Sequence, residues 1–99
     1  MTKAVFLLRF AVPCANPFLA LVDKNSVNGV RQSGVYTADS CQTLCLTTSG
    51  CVAVDYNRMD QSCWIHTSGA DLTDDNTYDT VGVTQYRLVT NCAVPGINC

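Results

Sequence analysis

The sequence predicts a small α+β domain stapled by disulfides, and three observations carry that expectation. Seven cysteines fall in 99 residues, which in a short chain reads as a disulfide framework made in an oxidising compartment. The stretch "TADSCQTLCLTTSGC" has helical spacing. Most of the remainder breaks into short apolar or alternating runs separated by turn residues, the pattern of strands. A chain of this length is one domain whose core alone is marginal, so cross-links bear on whether it folds at all.

The elements follow in order. "KAVFLLRFAV" and "PFLALVD" read as short apolar strands separated by Pro13 and Pro17. The basic start and apolar run also resemble a secretory signal, whereas Arg9 and the prolines break the run too often for a membrane-crossing helix. "KNSVNGV" and "RQSG" read as turns, with Asn28-Gly29 a hairpin signal. In the helix candidate, Thr37 or Asp39 caps the start and Gly50 suits a left-handed stop. Cys41, Leu44, Cys45 and Thr48 recur with helical spacing, so both helix cysteines face the core.

"CVAVDYN" alternates, with Val52, Val54 and Tyr56 on one face and Ala53, Asp55 and Asn57 on the other. "SCWIHT" puts Cys63 and Ile65 on one face and Trp64 and His66 on the other. "NRMDQ" is the polar turn between them, and "GADLTDDNTYDTVG" is an acidic, Thr-rich loop. "TQYRLVTNC" is a last strand, with Tyr86, Leu88 and Cys92 on one face. A short echo, "AVPC" at 11–14 and "CAVPGINC" at 92–99, fits either chance or a junction between tandem copies.

Charge excludes several partner classes. Six basic and eight acidic residues give a net charge of −2, and no Lys/Arg cluster exists. Nucleic acids and heparin-like polyanions both need a basic footprint, so neither is an expected partner. A hydrophobic content of 47% with 14% charged residues argues against disorder.

The cysteine spacing is Cys14-x26-Cys41-x3-Cys45-x5-Cys51-x11-Cys63-x28-Cys92-x6-Cys99. With "CVAVDY", "CWIH" and the closing "QYRLVTNC", it resembles the PAN/apple domain superfamily from about Cys14 to Cys92. The resemblance implies an antiparallel sheet curled around a single α-helix. It also implies the bonds Cys41–Cys63 and Cys45–Cys51, with a terminal staple Cys14–Cys92; spacing alone leaves the pairing open. By loop entropy the 41–63 bond is worth about 3 kcal/mol and the 14–92 bond about 4.5 kcal/mol. "CANPF" looks like the family's opening strand, which keeps Cys14 inside the domain rather than in a cleaved signal. The expected organisation is a strand or signal-like segment over 1–13, the domain over 14–92, and a tail or linker over 93–99. Cys99 is then left to pair with a following unit or between chains.

Other chemistries weigh less. Structural zinc prefers two close cysteine pairs, and here a single such pair lies on a helix. Cys63 and His66 sit on opposite strand faces, and a bonded cysteine cannot act as a nucleophile. Asp71, Thr73, Asp75, Thr77 and Asp79 alternate like calcium ligands, but Asn76 stands where the sharp-turn glycine belongs and Gly82 where the bidentate acid belongs. No N-glycosylation sequon occurs, and the Ser/Thr content of 37–49 and 67–80 leaves O-glycosylation open. Tyr56, Arg58, Trp64, His66 and Tyr78 are the candidate ligand-binding residues, since aromatic faces stack on sugars and anchor protein interfaces. Packing inside the sheet is the competing role for Tyr56 and Trp64.

These observations and the resemblance together imply an extracellular, non-enzymatic module without a cofactor or metal, binding a protein or glycan ligand. The alternative is a structural subunit of an extracellular polymer or filament. It would self-associate through the apolar "VFLLRF" segment, a sticky edge, and through Cys99, or as tandem copies.

Overall fold

The computed structural model describes residues 17–89. The chain forms two compact units: one is residues 20–88, and the other takes the flanking segments, of which residues 17–19 and 89 are described. The expected strand over 3–12, the signal-like segment, Cys14, Cys92 and Cys99 lie outside the described residues.

Among the described residues five strands and one α-helix run in the order β1 (Phe18–Ser26), β2 (Val30–Gln32), α1 (Ala38–Thr47), β3 (Cys51–Asn57), β4 (Ser62–Thr67) and β5 (Thr77–Leu88). A 3-10 turn, Asp74–Asn76, precedes β5. The strands form one sheet in the order β1-β5-β3-β4-β2. The β2/β4, β3/β4 and β3/β5 pairs are antiparallel. The fold is the small α+β architecture that the sequence predicts.

The helix forms where expected and for local reasons. Thr37 is its N-cap, accepting from Ser40 N–H at 3.1 Å, and Ser40 returns the bond to close a capping box. Asp39 lies in the first turn, beside the positive end of the dipole. Gly50 is not the helix stop. The helix ends with Thr48 in extended conformation, its hydroxyl donating to the Leu44 carbonyl at 2.7 Å. Gly50, at φ 80°, instead turns the chain into β3.

Only Cys41 and Cys45 are buried on α1, while Leu44 and Thr48 are half-buried and Leu46 is exposed. So narrow an apolar stripe holds a helix weakly, and covalent bonds hold this one. Cys41 joins Cys63 on β4, and Cys45 joins Cys51 at the start of β3, with Cα separations of 5.7 and 5.3 Å. These are the two helix–sheet pairings implied by the resemblance. Val54, Tyr56, Cys63 and Ile65 share the sheet face that carries the Cys41 bond, and all are buried.

Three readings of the sequence need correction. β1 does not stop at Asp23 but runs on through Lys24 and Asn25 to Ser26. β5 begins at Thr77, inside what reads as an acidic loop. Both extensions are polar, and each supplies the other's partners: Lys24 pairs with Asp79, and Ser26 Oγ meets Thr77 Oγ1 at 2.7 Å. Third, Asn28-Gly29 does not make a β1–β2 hairpin, because β1 and β2 are the two opposite edges of the sheet.

Only Val27, Asn28 and Gly29 separate β1 from β2. In a flat sheet four strand spacings of about 4.8 Å would put these edges roughly 19 Å apart. The steps from Ser26 to Val30 reach about 14 Å at most. The sheet must therefore curl until its edges approach each other, and the short link becomes a strap across the face opposite the helix. Asp23 (φ 59°) on β1 and Gly82 (φ 95°) on β5 both take left-handed backbone, and there Gly82 N–H donates to Asp23 Oδ1 at 3.1 Å.

Candidate functional site

Beneath the strap lies a buried polar network. Asp55 on β3 stands opposite Trp64 on β4 and Gln85 on β5, so alternation and register place all three on the face away from the helix. His66, two residues from Trp64, joins them. Asp55, His66, Gln85 and Ser26 are each no more than 2% exposed. Asp55 Oδ1 accepts from Gln85 Nε2 at 2.8 Å, while Oδ2 accepts from His66 Nε2 at 2.7 Å and from Ser26 N–H at 3.3 Å. Gln85 Nε2 also donates to Ser26 Oγ at 2.8 Å. Its Oε1 accepts from Arg87 Nε at 2.6 Å, and Arg87 Nη2 reaches the Leu72 carbonyl at 2.7 Å.

The network pins the strap to the sheet. A carboxylate only accepts, so His66 Nε2 carries the proton toward Asp55. Nδ1 is then buried with no partner among the described residues. No hydroxyl or thiol faces it there, and Cys63 is bonded to Cys41. The carboxylate–imidazole pair is thus a clasp. Gly29 closes over it for steric reasons: a Cβ there would lie 3.1 Å from both His66 Cε1 and Trp64 Cβ.

The strap and Trp64 frame a surface cleft of about 280 Å³, lined by Asn25–Gly29, Asp55 and Trp64. Trp64 is half-buried, its indole N–H donating to Ser62 Oγ at 3.0 Å. Arg31, its register partner on β2, sets its guanidinium over the indole at 5.7 Å from the ring centroid. Neither Asn25 nor Asn28 spends its side-chain amide on a protein hydrogen bond among the described residues. A second cleft, of about 580 Å³, lies between Leu21 and Lys24 of β1, Asp74, and Thr77, Tyr78, Asp79 and Arg87 of β5. Both of its cations are engaged: Arg87 holds Gln85 Oε1 and the Leu72 carbonyl, and the hydrogen bond to Asp79 raises the Lys24 ammonium pKa above its ordinary value.

The five residues picked out as candidate ligand contacts do not form one surface. Trp64 borders the first cleft and Tyr78, half-exposed, the second. Arg58 is exposed in the β3–β4 turn, its N–H donating to the Gly82 carbonyl at 3.0 Å. Tyr56 is 9% exposed on the helix face, its hydroxyl donating to the Tyr36 carbonyl at 2.6 Å, and His66 lies under the strap. Burial removes these last two from any ligand surface. Asp55, Gln85, Ser26, Asn25 and Asn28 were not picked out. The one local signal was Asp55, a carboxylate amid the apolar run "CVAVDYN". In the acidic loop Asp71 Oδ1 accepts from Thr73 N–H at 3.0 Å and from its hydroxyl at 2.6 Å, and the hydroxyl bond leads in lowering its pKa. No group of side chains suited to a metal ion occurs among the described residues.

A family model of the PAN domain matches residues 20–91, well over half of the chain. The chain belongs to the PAN domain family. PAN domains serve as protein- or carbohydrate-binding modules and are generally non-enzymatic, and the disulfides fit an extracellular module. No curated protein matches the chain. No helix among the described residues is long and apolar enough to cross a membrane.

Proposed function

We propose that this PAN domain is an extracellular, non-enzymatic binding module whose ligand seats in the cleft between Trp64 and residues 25–29, the end of β1 together with the strap. The observation that carries this reading is the pairing of a rigid polar floor with unspent side-chain amides at the rim. Asp55, His66 and Gln85 lock the strap in place, while Asn25 and Asn28 keep their hydrogen-bonding capacity for something else. A preformed site with free polar groups beside an aromatic wall is the usual build of a recognition cleft. The Cys41–Cys63 and Cys45–Cys51 bonds support the assignment to an oxidising, extracellular setting.

The test uses the oxidised domain, fluorescently labelled, on printed glycans, on extracellular-matrix proteins and on intact cells. Saturable binding that falls in an Asn25→Ala/Asn28→Gly variant is expected. Glycine at 28 keeps the left-handed backbone (φ 72°) while removing the amide. Binding that is absent on every surface, or unchanged by the variant, overturns the reading.

A further inference from the structure

We infer that Asn28 is a self-modification site whose reaction with the Gly29 backbone unseats the strap. The side-chain amide closes on the next main-chain nitrogen, ammonia leaves, and an aspartyl or isoaspartyl residue remains. The effect on a ligand rests on the binding-module reading above, whereas the chemistry does not.

Four asparagines lie among the described residues, and the reaction needs the main-chain nitrogen that follows the asparagine. Three of those nitrogens are held. After Asn25, Ser26 N–H donates to Asp55 Oδ2 at 3.3 Å; after Asn57, Arg58 N–H donates to the Gly82 carbonyl at 3.0 Å; after Asn76, Thr77 N–H donates to the Asp74 carbonyl. Gly29 lies outside both strands, and its N–H makes no hydrogen bond of ordinary length and angle among the described residues. Nor does Gly29 carry a Cβ to hinder the approach. The electrophile is equally open. Asn57 Oδ1 is spent on Met59 N–H at 2.8 Å, but the Asn28 side chain is exposed and unspent.

The Gly29 nitrogen attacks Asn28 Cγ. A Cγ–N bond forms, the Cγ–Nδ2 bond breaks, and Nδ2 departs as ammonia with the proton that Gly29 gave up. Ring closure turns the Cα–C bond and the side chain, so the left-handed φ of 72° is kept. The cyclic imide then takes up one water. Opening at Cγ leaves aspartate; opening at the main-chain carbonyl leaves isoaspartate, whose chain runs through Cβ and Cγ. The isoaspartyl form lengthens a three-residue link by one carbon. Gly29 has no room for that, since even a Cβ there would lie 3.1 Å from His66 Cε1 and Trp64 Cβ. Either product also sets a new carboxylate in a cleft that Asp55 already lines.

The experiment ages the oxidised domain at neutral and at mildly alkaline pH beside the reduced chain unfolded in urea. Peptide mass mapping and isoaspartyl methyltransferase labelling follow each asparagine. Conversion of Asn28 in the folded domain is expected, faster at the higher pH, with Asn25, Asn57 and Asn76 slower by about tenfold or more, the worth of the hydrogen bond that must first release each nitrogen. Asn28 left intact after the unfolded chain has converted overturns the inference, as does equal conversion at the other three. The converted fraction, separated by its added negative charge, should shift the Trp64 indole N–H and the Gln85 side-chain amide in ¹⁵N spectra and unfold at lower urea. Unmoved signals with an unchanged midpoint overturn the unseating. Asn28→Gly, which keeps the backbone, should show no conversion at that position. The two readings fail separately. An unseated strap in a domain that binds no glycan, matrix protein or cell removes the binding module alone, and a binding domain whose Asn28 stays intact removes the self-modification alone.

Discussion

Replacing Asp55 by asparagine tests the clasp directly, because it keeps the shape and changes only donors and acceptors. In the native domain three donors converge on the carboxylate: Gln85 Nε2, His66 Nε2 and Ser26 N–H. An asparagine has one oxygen. Placed at the Oδ1 position, it serves Gln85 and turns its NH₂ toward two donors. Placed at Oδ2, it serves Ser26 and His66 and turns its NH₂ toward Gln85. Gln85 cannot simply flip, since its Oε1 holds Arg87 Nε. Nor can His66 shift its proton to Nδ1, where no acceptor waits among the described residues. Every arrangement strands at least one buried donor, at about 1–3 kcal/mol, and also exchanges charge-assisted bonds for weaker neutral ones. The expected loss is therefore about 2–4 kcal/mol, set against roughly 5–15 kcal/mol for a typical domain. Equilibrium urea unfolding with the disulfides intact measures it, and thermal unfolding should shift by roughly 10–25 °C. A midpoint within error of the parent would refute the claim that this network holds the strap. Asp79→Asn, which breaks the exposed Lys24 pair, should leave the midpoint essentially unmoved.

Three further outcomes are expected. Gly29→Ala should cost about 1–3 kcal/mol by overpacking against His66 and Trp64, read from the same urea curves, although Gly29 does not itself need a left-handed backbone. Removing the Cys41–Cys63 bond (separation 22) by paired alanines should cost about 3 kcal/mol through loop entropy, against about 2 for Cys45–Cys51 (separation 6); equal losses would mean that packing, not loop closure, sets the value. Asp71 has its folded pKa below the ordinary 3.8. Its contribution is present above that value and is lost as pH falls through the lower folded one. Asp71→Asn should thus lie below the parent in stability near neutral pH, with the two curves converging in acid below about pH 3.8.

Local pattern carried much of this fold. The helix was legible from Thr37 and the Cys41/Cys45 spacing, because capping and the helical period act within a few residues. The two faces of β3 and β4 were legible from alternation, and their antiparallel register keeps Val54 and Tyr56 with Cys63 and Ile65. The limits of β1 and β5 were not. Their polar ends look like loops until Lys24 meets Asp79 and Ser26 meets Thr77, partners more than fifty positions apart in sequence.

The candidate site divides along the same line. Trp64 and His66 stand out by residue type, but type does not say which of them reaches solvent. Asp55, Trp64, His66 and Gln85 are all polar or amphipathic groups on what an isolated hairpin would present as its wet face. A strap from the far edge of the sheet covers that face and turns Asp55, His66 and Gln85 into a buried clasp. By itself, then, the sequence determined a disulfide-bound α+β domain with one capped helix and two correctly faced central strands, since these follow from composition and short-range periodicity. Tertiary structure alone decided that a three-residue link joins the two edges of the sheet, that His66 is sealed and Asn25 left open, and that Trp64 borders a cleft. The reason is that burial belongs to the neighbour that closes over a residue, and here that neighbour arrives from the opposite edge of the sheet.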